Sequence, residues 1–172
     1  SAIGLGLSGT GVTAIPSFTA TNSTSAPISG TITITPVANG CTGTPITYTI
    51  TVNPTPTVTA EANVAYCNGA AVALNTINGP VGGTTFTWGN NNTAIGLAAS
   101  GSGNVPAFTA TNTGTANIIG VVTLTPTANG CPGTPSNYTI TVYPTPTVTA
   151  EANVSYCNGA SVALNTINGP VG

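Results

Sequence analysis

The chain has 172 residues, a formal charge of −2, and no Lys, Arg or His; its only carboxylates are Glu61 and Glu151. Without basic groups it cannot neutralise phosphates, which excludes charge-driven nucleic-acid binding and a polybasic membrane patch. The usual groups for general acid–base catalysis and metal ligation are also missing, so no enzyme activity, metal or cofactor is expected.

The predicted elements are strands throughout. TITITP at 31–36 puts Ile32 and Ile34 on one face and threonines on the other. TYTITV at 47–52 groups Tyr48, Ile50 and Val52, and TVTA at 57–60 and AVALN at 71–75 follow. TTFTWG at 84–89 sets Phe86 and Trp88 inward, and PAFTATN at 106–112 and VVTLTPT at 121–127 come next. NYTITV at 137–142 then repeats the earlier pattern with Tyr138, Ile140 and Val142. Alternation of period two with β-branched residues marks half-buried strands. CNGA, NGPVGG, GNNN, SGSGN and ANGCPGTP between them are turn chemistry. The predicted core is Trp88, Phe86, Ile32, Ile34, Ile50, Ile140 and Val142. Such short, evenly spaced strands point to an all-β, immunoglobulin-like sandwich in preference to a closed barrel. Trp88 would fill the space between the sheets; the competing role, an exposed platform for sugar rings, is disfavoured by the alternating Phe86. Glu61 reads as a solvated residue at a strand end.

No apolar run approaches the roughly 20 residues that span a bilayer, and no signal-peptide pattern opens the chain at Ser1.

Residues 51–82 recur at 141–172, and only Asn53/Tyr143, Ala65/Ser155 and Ala71/Ser161 differ. FTATN at 18–22 recurs at 108–112, and SAIGLGLSG at the start matches TAIGLAASG at 93 after a two-residue shift. A period near 90 residues is a whole small domain. Three segments are expected: 1–53 as the C-terminal part of a split module, 54–143 as a complete module, and 144–172 as the N-terminal part of the next. The Pro-rich NPTPTVT and YPTPTVT stretches act as stiff linkers. Either a longer array continues on both sides, or the tail of one chain docks on the head of the next. Both arrangements make an open-ended, head-to-tail line.

Each repeat carries two cysteines and no CxxC, which reads as disulfides in an oxidising compartment. Pairing within the module joins Cys67 to Cys131, and the same rule joins Cys157 to a Cys41-type residue across a chain or repeat boundary. The alternative is that Cys67 and Cys131, at opposite poles of a sandwich, both bond to adjacent modules.

The runs TPTVTAEANVAYCNGA, GTTFTWGNNNTAIGLAASGSGNVPAFTATN and LTPTANGCPGTPSNYTITVYPTP resemble the PKD-like, immunoglobulin-type tandem repeats of very large Bacteroidetes surface proteins. The resemblance covers essentially the whole chain and implies tandem β-sandwich modules of about 90 residues. It also implies export to the cell surface and service as an adhesin or fibre, with no active-site residues. One departure is the complete absence of Lys and Asp, of which such relatives usually carry a few. The expected function is a structural unit of an extracellular fibre or adhesin stalk. Its partners are copies of itself, with lateral bundling favoured by low charge and no direct membrane insertion. The alternative is a glycan- or ice-binding module, suggested by rows of alternating threonines. Against ice stands the twist expected of such sheets.

Overall fold

The computed structural model describes residues 2–6, 9–148, 151–163 and 169. Twelve strands follow in order: β1 (Ile28–Ile34), β2 (Val37–Ala38), β3 (Cys41–Thr42), β4 (Ile46–Val52), β5 (Val64–Cys67) and β6 (Ala71–Val72). Then come β7 (Thr85–Asn90), β8 (Ser100–Ser102), β9 (Phe108–Thr109), β10 (Ile118–Ala128), β11 (Cys131–Pro132) and β12 (Ser136–Tyr143). A 3-10 turn at Thr93–Ile95 is capped by Asn92, whose side chain accepts from the Ala94 amide. The fold is an all-β sandwich. Its main sheet has the order β5-β12-β10-β7-β8, with β11 paired to β10.

The chain divides into two compact units. The first holds residues 1–59, 77–87 and 124–136. Here β1 and β4 form an antiparallel ribbon from Ile28↔Val52 to Ile34↔Ile46. Two-residue Asn-Gly turns with positive φ at both positions close the β2–β3 and β10–β11 hairpins. Asparagine and glycine tolerate that geometry, which matches the natural twist of paired strands. Ile3, Ile77, Val81 and Ala128 are buried in this unit.

The second unit holds residues 60–76, 88–123 and 137–172. β5 runs parallel to β12, with Val64 to Cys67 opposite Ile140 to Tyr143. β6 pairs antiparallel with β9, and Asn75 bridges to Val105. Trp88, Ile95, Leu97, Val122, Ile140 and Val142 are buried there. The inward residues of β12 alternate with less buried ones along most of its length, which is why its threonines and isoleucines read as a strand.

The main strands fall where alternation places them, with three differences. TVTA at 57–60 is no strand: it follows Pro54 and Pro56, and Thr59 makes a single backbone bond, donating to the Asn78 carbonyl at 2.8 Å. AVALN and PAFTATN shrink to the two-residue strands β6 and β9. β5 covers a segment for which no strand is expected, and β8 lies in SGSGN, which reads as turn chemistry. For the segment 144–172, residues 149–150, 164–168 and 170–172 lie outside the described residues.

Candidate functional site

Because one sequence occurs twice, equivalent positions can be compared in different surroundings. Leu124 is fully buried, and its counterpart Ile34 is 39% exposed. Tyr138 is 4% exposed against 42% for Tyr48, and Val72 8% against 59% for Val162. Ile32 and Ile50 are half-buried, whereas Ile140 and Val142 are buried. Ile34 is therefore not a core residue, contrary to the expectation from alternation. β1 has β4 as its sole strand partner among the described residues, whereas β10 lies inside a wider sheet. The local folding is nonetheless shared. Asn22 Nδ2 donates to the carbonyls of Ala26 and Val52, and Asn112 Nδ2 donates likewise to Ala116 and Val142. The β1–β4 ribbon thus keeps the local ties of its counterpart in β10 and β12 but is less covered. Residues 151–163 expose Val154, Tyr156 and Val162.

The Pro-rich segment after β4 is packed in place. Pro54 and Pro56 are fully buried. A side chain at Gly133 would collide with the Pro56 carbonyl, and one at Gly79 with the Thr57 carbonyl. Both positions therefore need glycine to let the linker backbone approach.

Trp88 is 5% exposed and sits in β7, with its indole against Gly101. Its Nε1 has no hydrogen-bond partner. Phe86, on the same strand, is half-buried. The indole is not an exposed platform.

A cleft of about 260 Å³ in the second unit is bordered by Glu61, Tyr66, Asn75, Phe108 and Tyr138. Burial pushes the Tyr138 phenol above its ordinary value; a hydrogen bond with the Asn75 side chain pulls it down, and Glu61 and Tyr66 push it further up. Only one carboxylate lines the cleft, so it holds no carboxylate pair for acid–base work. Among the described residues, no cluster of three metal-ligating side chains forms.

All four cysteines are free thiols: Cys41, Cys67 and Cys157 are exposed and Cys131 is half-buried. The Cys67–Cys131 bond expected within the module is not formed. Different pairings hold these two: Cys67 stands opposite Tyr143 on β12, and Cys131 opposite Ala128 on β10.

Sequence reasoning passed over the buried asparagines. Asn90 donates to the carbonyls of Asn92 and Leu97, and Asn112 ties β12 to the 112–116 loop. The recurrence of FTATN carried that signal for Asn112.

The strands of the described residues make an all-β sandwich, a fold that by itself assigns no activity. The PKD-like domain family matches residues 4–56 and 64–146, well over half of the sequence, and the chain belongs to that family. Its domains are generally non-catalytic and typical of extracellular and surface proteins. No curated protein matches the chain. No helix among the described residues is long and apolar enough to cross a membrane.

Proposed function

We propose that the chain is a structural repeat of an extracellular surface fibre or adhesin stalk, non-catalytic, with its modules following one another head to tail. The observation that carries this reading is the packed linker. Pro54 and Pro56 are buried, Thr59 is hydrogen-bonded to Asn78, and two glycines are shaped to the linker backbone. A connection held in this way stiffens a junction where a Gly/Ser tether would swivel. Family membership supports an extracellular setting. Low charge favours lateral bundling of such rods. Glycan binding draws no support from Trp88 or Tyr138, since both are buried.

Small-angle scattering on concatenated repeats tests the proposal. The maximum dimension of a stalk grows in proportion to the number of repeats. Growth as the square root of that number is the behaviour of a flexible string and would refute it.

A further inference from the structure

Residues 61–73 and 151–163 are identical apart from Ala65/Ser155 and Ala71/Ser161, yet only the first segment is built into sheets. Its surroundings in the second unit are specific. Thr139 N donates to Asn63 Oδ1 at 2.8 Å. Asn68 N donates to the Tyr143 carbonyl at 2.9 Å, and Gly69 N to the Ala110 carbonyl at 2.8 Å. Ala110 N donates to the Ala70 carbonyl at 2.9 Å, and Asn112 N to Asn68 Oδ1 at 2.8 Å.

Every member of this set but one recurs unchanged 90 positions away. The strand side has Asn153, Asn158, Gly159 and Ala160, and the receiving side has Ala20, Asn22 and Thr49. Asn53 replaces Tyr143, whose part in the set is played by its backbone carbonyl alone. The apolar positions recur as well: Val154, Tyr156 and Val162 are exposed on one segment, and Ile34 and Tyr48 on the other.

We propose that residues 151–163 of one chain dock as a parallel strand on the free edge of β4 in a second copy of this chain. Val154, Ser155, Tyr156 and Cys157 then stand opposite Ile50, Thr51, Val52 and Asn53. This rests on the head-to-tail reading above and deepens it by naming the segment and its register. β4 pairs with β1 alone among the described residues, so its other edge can accept a strand. The docked segment supplies the counterparts of β5 and β6. One donor and one acceptor per chain make the association open-ended. Neither paired segment carries a charged side chain apart from Glu151, so the association is insensitive to salt.

Sedimentation velocity of the 172-residue chain should show concentration-dependent growth beyond a dimer, equal at low and high salt. Val154→Asp changes an exposed residue of the isolated chain, so folding is not at stake. It should raise the concentration needed for association by about tenfold, because the charge would sit unpaired at a position whose counterpart, Val64, is half-buried. Register is read separately in a chain carrying Cys41→Ser, Cys67→Ser and Cys131→Ser. Adding Asn53→Cys should give oxidative multimers through Cys157, and Thr47→Cys should not. A monomer at every concentration, growth that survives Val154→Asp, or equal cross-linking from Thr47→Cys would overturn the docking. A monomeric chain whose concatemers are still rods would end this inference and leave the stalk reading standing. Flexible concatemers with intact docking would do the reverse.

Discussion

Tyr138 is the residue whose ionisation is coupled to folding. Its phenol is buried beside Glu61 and Tyr66, and its pKa is raised above the ordinary value near 10. The folded state therefore holds the proton more tightly than the unfolded state. The stabilisation is complete below the ordinary value and is lost as pH rises through the folded one. Urea midpoints measured from neutral pH into the alkaline range should fall more steeply for the wild type than for Tyr138→Phe. Equal slopes would show that the phenol is not coupled to folding. Gly101 is the second informative position. A methyl group there would collide with the Trp88 ring, so Gly101→Ala should cost about 1–3 kcal/mol. Trp88 is the only tryptophan, so its emission reports the change directly. A red shift at unchanged secondary structure is the expected outcome, and an unaltered spectrum and midpoint would mean the contact relaxes without cost.

At the scale of elements, asparagine side chains do much of the joining. Asn112 Nδ2 serves two carbonyls, those of Ala116 and Val142, while its Oδ1 accepts from Gly114 N. Asn112→Ala should destabilise by about 1–3 kcal/mol, since the buried Val142 carbonyl loses its donor. Asn22→Ala, in the less buried copy, should cost less. Hydrogen exchange at the end of β12 would locate the effect; uniform loss of protection would argue against a local tie. The long strands were legible because β-branched residues alternate with threonine over six or more positions, as in NYTITV. β5 offered only Val64 and Tyr66, too short a run to show a period. β8 consists of Ser-Gly-Ser and has no apolar pattern at all. Ile34 shows a different limit. Its local sequence matches that of the buried Leu124, and what separates them is non-local cover, which a strand's own residues do not encode. The surface proposed for docking was legible only as a repeat. Its register became definable once the second copy displayed its own pairing.

For the whole molecule, the near absence of charge sets the response to solution conditions. The only carboxylates in the sequence are Glu61 and Glu151, and no His is present to titrate near neutrality. Particle dimensions and urea midpoint should hold constant between about pH 5 and 8 and across a wide range of salt.

The parallel pairing of β5 with β12 has a mechanical consequence. One strand lies near the start of the 54–143 segment and the other at its end, and both run in the same direction. Tension applied along the chain pulls them past each other, loading their backbone bonds together in shear instead of peeling them one at a time. A tether under load gains from that geometry. Single-molecule extension should find abrupt, high-force ruptures, lowered when Val64 is replaced by Pro, which removes a backbone donor from the sheared pair.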